Sequence, residues 1–259
     1  MSVGPLACAV ILVGANAWTA NIVTIQGNAS GTAGLTLDSS PVVTAIMSQP
    51  GTFGGHAYTS WAVLAQDPTG SIDLFSSAAS FGTYVPTVGD VITAAGTYSP
   101  YHQIPELATL TAISLNSQGG HVPARPTASI SDLNLSLTIP QGLAAYPVEI
   151  DNVTIYSDAA ATTPATGNFA AANTAFYLKD TGGNIMEMYF WYTSYSCNGA
   201  MVGTPIPSGP VDVVGLLSQS GTFPVEITPL SVVSVPEPSS LALAGLGLVG
   251  LLVARRRQR

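Results

Sequence analysis

Positive charge is scarce in this 259-residue chain, where six Lys and Arg stand against 14 Asp and Glu. Four of the six are Arg255, Arg256, Arg257 and Arg259, so residues 1–235 hold 13 acids against Arg125 and Lys179 alone, a formal balance of −11. Proteins that grip nucleic acid neutralise phosphates with clustered cations. Two isolated cations cannot do so, and nucleic acid is not an expected partner. Cysteine is nearly as rare, with only Cys8 and Cys197. Cys8 falls in a segment expected to be removed, which leaves Cys197 alone and excludes an intramolecular disulfide in the mature chain. Cys197 is then a buried hydrophobe or a cross-linking thiol.

Catalytic signatures are also missing. The three histidines, His56, His102 and His121, lie in Gly- or Pro-rich loops, none in an i, i+4 pair or beside a cysteine, so no zinc site is signalled. There is no G-x-S-x-G elbow and no phosphate-binding loop. Asp67 and Asp180 each head an Asp-x-x-Gly segment without the alternating oxygen ligands of a calcium loop, and they read as turn residues. Glu149 and Asp151 share a strand face, a pattern that chance supplies in an acidic chain. No cofactor and no metal is expected, and the chain reads as a non-enzyme.

The two ends are different in kind. Leu6 to Ala15 is apolar, and Ala15-Asn16-Ala17 offers an A-x-A cleavage site after Ala17, so residues 1–17 read as a signal peptide for the Sec translocon, although no Lys or Arg precedes the apolar core. At the other end, Pro236-Glu237-Pro238 is followed by 14 residues, Leu241 to Ala254, that are all Leu, Ala, Gly or Val, and then by the arginine cluster. A bilayer-spanning helix needs roughly 20 apolar residues, so this is a short anchor. The arginines favour the cytoplasmic side and place the bulk of the chain outside the inner membrane. The prolines hold the motif extended and accessible before the anchor. Residues 236–259 resemble the PEP-CTERM sorting signal. That resemblance implies processing by an exosortase-type enzyme at the Pro-Glu-Pro motif, membrane contact through the C-terminal helix before processing, and a final location at the cell surface or outside the cell.

Between the ends, short two-periodic runs of Val, Ile, Thr and aromatics alternate with Gly, Pro, Asn and Asp, which makes the chain all-β. Expected strands are 22–25, 42–47, 57–66, 71–76, 90–97 and 107–115, then 148–155, 175–179, 185–192, 211–218 and 225–233. A short helix is expected over 129–135. The second series repeats the first. Asp67-Pro68-Thr69-Gly70-Ser71-Ile72 overlays Asp180-Thr181-Gly182-Gly183-Asn184-Ile185 at an offset of 113 residues. Val88-Gly89-Asp90-Val91 up to Gly96 overlays Ser208-Gly209-Pro210-Val211 up to Gly215, and Pro105-Glu106-Leu107 overlays Val225-Glu226-Ile227. An internal duplication follows, with a lead-in at 18–34, a first β domain at 35–117, a linker at 118–128 and a second β domain at 129–235.

On these residues each unit resembles an OB-fold module, and the resemblance implies two tandem five-stranded barrels. A β-sandwich is the other architecture open to the pattern, though the Cys, Trp, Cys spacing of immunoglobulin domains is missing. The resemblance also implies a ligand face on strands 2 and 3 and the adjoining loops, where aromatics stack. The candidate platform is Tyr58, Trp61, Tyr98, Tyr101, Tyr189 and Trp191. Within Tyr189-Phe190-Trp191-Tyr192, alternation puts Tyr189 and Trp191 on one face and Phe190 and Tyr192 on the other.

Two readings of function stand side by side. In one, the chain is an exported, non-enzymatic surface or matrix protein associated with extracellular polysaccharide. In the other, it is a secreted polymer-degrading enzyme, with a carboxylate pair assembled from distant positions, or its OB-type nucleic-acid- or glycan-binding accessory module.

Overall fold

The computed structural model describes residues 18–135, 143–219 and 225–235. Ala15, Ala17, the Pro236-Glu237-Pro238 motif, the apolar stretch behind it and Arg255, Arg256, Arg257 and Arg259 lie outside the described residues. The chain begins with β1 (Trp18–Ala20), α1 (Ile22–Gln26) and β2 (Thr32–Leu37). A first set of strands follows: β3 (Val42–Ser48), β4 (Gly51–Phe53), β5 (His56–Tyr58), β6 (Ser60–Asp67) and β7 (Gly70–Ser77), then α2 (Ala78–Phe81), β8 (Val91–Tyr98) and β9 (Glu106–Ser117). The second set is α3 (Ile130–Leu135), β10 (Pro147–Tyr156), β11 (Thr174–Lys179), β12 (Ile185–Phe190), α4 (Ser196–Met201), β13 (Val211–Ser218) and β14 (Glu226–Ser234).

The second set closes into a barrel in the order β10-β11-β12-β14-β13, with β13 paired back to β10. Numbered within the unit this is 1-2-3-5-4, with one parallel contact between strands 3 and 5, the connectivity of an OB barrel. The first set runs through the same cycle. β3 pairs with β6, β6 with β7, β7 in parallel with β9, β9 with β8, and β8 returns to β3 through Val42 and Val91. β2 and β1 extend this sheet beyond β8. Each barrel has its own apolar interior, built around Phe176, Met186, Met188 and Phe190 in the second and around Val63, Ile72, Leu74 and Leu107 in the first.

Gly96 and Gly215 show why the overlaid sequence pairs matter. Both sit where the ladder between strands 4 and 5 shifts register. A side chain at Gly96 would meet the Ala108 carbonyl oxygen at 2.8 Å, and one at Gly215 would strike the Thr228 carbonyl oxygen. Each barrel can bend shut there because nothing projects into the crossing. Asp67 and Asp180 are turn residues, as their sequence suggested: Asp67 Oδ1 accepts from Thr69 N at 2.7 Å and Asp180 Oδ1 from Asn184 N at 2.8 Å.

Three expected strands differ. Ile22–Ile25 is helix, because Asn21 caps it by accepting from Thr24 N at 3.0 Å while Asp67 Oδ2 accepts from Ile22 N at 2.9 Å. Ile22 and Ile25, one turn apart, are both fully buried in the first core. The 57–66 run breaks at Thr59 into the end of β5 and the start of β6. The 185–192 run stops at Phe190, after which Tyr195 N donates to Trp191 O and the chain turns. The 113-residue overlay of the hairpins is off by one beyond the turn. Leu64 faces Asp73 and Tyr177 faces Glu187, so strand 3 is displaced by 114 residues. Five residues, 180–184, separate Lys179 from Ile185, and that longer loop carries the extra residue. A one-residue slip exchanges faces, which is why Ile72 and Met186 are core while Ile185 is half-buried.

Candidate functional site

The outer face of strands 1 to 3 in the first barrel is apolar, and the second unit covers it. Ala45, Met47, Ala62 and Leu64 alternate with inward-facing residues and form a third buried cluster with Ile104, Ala145, Tyr195 and Leu216; Phe75, Trp191, Cys197 and Leu230 pack against it. Each fully buried Leu or Met side chain here contributes about 1.5–3 kcal/mol. Hydrogen bonds lock the seam. The Tyr58 hydroxyl donates to Tyr192 O, the Tyr192 hydroxyl to Gly54 O at 2.7 Å, Gln49 N to Ser196 Oγ at 2.9 Å and Ser71 Oγ to Ala144 O at 2.8 Å. The ligand face implied for the first barrel is therefore occupied by its neighbour. Cys197 lies in the same seam, where burial pushes its thiol up to about 12. That environment suits an inert packing residue.

This arrangement divides the six candidate aromatics. Tyr58 is buried in the seam, while Trp61, against Phe81 at 5.7 Å, and Tyr98 belong to the first core. Trp61 and Tyr98 are thereby closed to a stacking ligand, and Tyr58 reaches only the wall of a seam cleft. Tyr101, Tyr189 and Trp191 converge. Trp191 packs on Tyr189 with ring centroids 4.5 Å apart and on His102 at 6.0 Å, and His102 meets Tyr101 edge-on at 4.0 Å. The expected alternation holds, since Phe190 and Tyr192 are buried. His102 sits at the tip of the β8–β9 hairpin, where Tyr101 and Ile104 bridge each other. Its Nδ1 lies 3.1 Å from Gln219 O, which ties this tip of the first barrel to the second. Tyr101 remains 51% exposed.

Sequence reading missed two pairs of carboxyl groups. Asp73 on β7 stands beside Glu106 on β9, and Glu187 on β12 beside Glu226 on β14. The two pairs occupy the same place in each barrel, the single parallel contact, on the face turned away from the core. Asp73, Glu187 and Glu226 are buried. Burial raises the pKa of Asp73, and burial together with the Asp73 charge raises that of Glu106. Burial also raises Glu187 and carries Glu226 to about 7, against the pull of the Ser218 hydrogen bond. Asp73 Oδ1 and Glu226 Oε2 have no hydrogen-bond partner. Burial thus favours the protonated form at Asp73, Glu106 and Glu226 more than in an ordinary exposed carboxyl. The Tyr195 phenol, between the units, is also raised, by burial first and then by Asp73 and Glu106. Glu106 had been aligned with Glu226 in the sequence overlay, but their strand-3 partners were hidden by the one-residue slip.

Two recesses flank Ser194 along the seam. One is a crevice of about 20 Å³ bounded by Tyr101, His102, Trp191, Ser194 and Thr228, the other a cleft bounded by Ser48, His56, Ser60, Phe75 and Ser194. Neither is lined by the buried carboxyls. Elsewhere, Glu149, Asp151 and Asp212 bring one carboxylate oxygen each within 4.8 Å of the others, and Asp212 Oδ1 accepts from Asn152 N at 2.9 Å. Among the described residues no helix is long and apolar enough to cross a membrane.

Comparison with known proteins separates the tail from the body. Residues 234–257 match the PEP-CTERM protein-sorting motif. No curated protein matches the chain. Solved structures similar in outline include a murine DNA-binding protein bound with double-stranded DNA, at 15% identity and TM-score 0.39 over 77% of this chain and 98% of that one. A replication protein A heterotrimer bound to single-stranded DNA gives 11% identity and TM-score 0.38 over 86% of this chain and 54% of that one. The p204 HINb domain gives 11% and 0.37 over 78% and 95%. The OB assignment stands on the strand order itself, 1-2-3-5-4 in both units. Two barrels of OB connectivity thus precede a PEP-CTERM sorting motif, the signature of a protein exported and sorted to the cell surface.

Proposed function

We propose that this is a non-enzymatic surface or matrix protein, sorted by an exosortase-type system, whose paired barrels hold an uncharged extracellular polysaccharide against the Trp191 platform. The observation that carries this reading is the convergence of Trp191, Tyr189, His102 and Tyr101, drawn from both barrels, at the mouth of a cleft. Aromatic faces presented beside hydroxyl-bearing residues suit sugar rings, whose C–H faces are apolar and whose rims hydrogen-bond. The formal balance of −11 over residues 1–235 disfavours phosphate-rich polymers.

The test uses purified residues 18–235 against a panel of neutral glycans and against DNA, at low and high salt. Salt-insensitive glycan binding that Trp191→Ala abolishes supports the reading. Salt-sensitive DNA binding, or turnover of any polymer, refutes it in favour of the accessory-module or hydrolase alternative. Mass spectrometry of the surface form tests sorting separately, because an intact Leu241–Arg259 tail rules out processing.

A further inference from the structure

Of the two seam clefts, the one behind the β4–β5 hairpin has no place in the sequence reading, and it is built. It has a volume of about 300 Å³ and lies between the end of β3, the segment His56–Ser60, Phe75 on β7 and the turn at Thr193–Ser194. Ser48 lines it. That residue is 1% exposed, and its hydroxyl has no hydrogen-bond partner. A buried hydroxyl left unpaired is a cost that an incoming polar group removes. The remaining polar lining is the His56 imidazole and the hydroxyls of Thr59, Ser60, Thr193 and Ser194, and the rings of Phe75 and Tyr58 complete the wall, His56 and Tyr58 edge to face at 4.8 Å. No Asp, Glu, Lys or Arg lines this cleft. A phosphate, sulfate or carboxylate ligand would find no Lys or Arg counter-charge there.

We infer that this cleft is a second sugar subsite, with Ser48 Oγ hydrogen-bonded to a ring hydroxyl, and that it is continuous with the Trp191 platform, so that the ligand is an oligosaccharide segment bridging both barrels. Ser194 lines both recesses and so sets them side by side across one turn. The turn carrying Ser194 is fixed from both sides. Tyr58 donates to Tyr192 O, and Thr193 Oγ1 accepts from Asn173 Nδ2 at 3.0 Å. A rigid divider between two subsites selects ligands longer than one ring. The inference rests on the reading of the Trp191 platform as a sugar surface and adds its length requirement.

Calorimetric titration of residues 18–235 with neutral gluco- and galacto-oligosaccharides, from monosaccharide to hexasaccharide, tests it. Affinity is expected to rise at least tenfold once the chain spans both subsites. Ser48→Ala and Thr59→Tyr, the second of which fills the cleft from its exposed rim, are each expected to remove that gain while leaving the binding of short chains intact. Trp191→Ala is expected to weaken every length. Length-independent binding that depends on Trp191 overturns the second subsite and leaves the platform standing, and so does a bound hexasaccharide in a crystal structure with only water on Ser48. Absence of binding at every length overturns both.

Discussion

Tyr58 of the first barrel donates its phenolic hydrogen to the carbonyl oxygen of Tyr192 in the second. Burial pushes the phenol up to about 12, so it remains a donor through the physiological range. One side chain thereby holds the turn that separates the two seam clefts. Tyr58→Phe keeps the packing and leaves a buried carbonyl unpaired. It is expected to lower unfolding free energy by about 1–3 kcal/mol in urea denaturation, with native-like circular dichroism.

Trp61 and Trp191 were grouped together in the sequence, yet the structure buries the first in the core of the first barrel and leaves the second partly exposed at the seam. Trp61→Ala empties the first core and is expected to cost about 3–5 kcal/mol in stability. Trp191→Ala, at the partly open seam, is expected to cost less than half as much while glycan retention on an affinity gel is lost. Equal stability losses would return Trp191 to the core.

Gly215→Ala tests barrel closure. The added methyl meets the Thr228 carbonyl oxygen, backbone that cannot swing aside, and the packed Ile227 side chain, and the expected loss is about 1–3 kcal/mol. The same substitution at Gly209, where nothing lies within 4 Å, is expected to leave the melting temperature nearly unchanged.

Stability should fall with rising pH. Asp73 and Glu106 are pushed up by burial to about 7 and about 8, above their values near 4 in an unfolded chain. The folded protein therefore holds protons that the unfolded chain has released. Their stability contribution is complete below about pH 4 and is lost as pH climbs through 7 to 8, a trend Glu226 reinforces at about 7. Melting curves from pH 5 to 8.5 should show a declining Tm. Asp73→Asn with Glu106→Gln should flatten the slope, with a residual decline from Glu226.

Much of the fold was legible because its devices are local. Gly96 and Gly215, Asp67 and Asp180, and ten of the eleven expected strands with the helix at Ile130–Leu135 follow from turn chemistry and period-two patterning. Ile22–Ile25 escaped because its β-branched run looks like a strand, and only the Asn21 cap and the distant Asp67 carboxylate make it a helix. The site was half legible. Alternation placed Tyr189 with Trp191, but which aromatics are open depends on how one barrel lies on the other, a fact no single segment encodes. The carboxyl pairs were invisible for a related reason, since β7 meets β9 and β12 meets β14 only when each barrel closes.

The order of strands around the second barrel also bears on where the sorting motif begins. β14 is the last strand to arrive, pairs with both β12 and β13, and ends at Ser234; Val235 is still hydrogen-bonded to Pro210 at 2.9 Å. Pro236 is the next residue. The sorting motif therefore begins in the sequence directly after the last residue that is hydrogen-bonded to the barrel. Recognition of that motif and completion of the final strand concern adjoining residues of one chain.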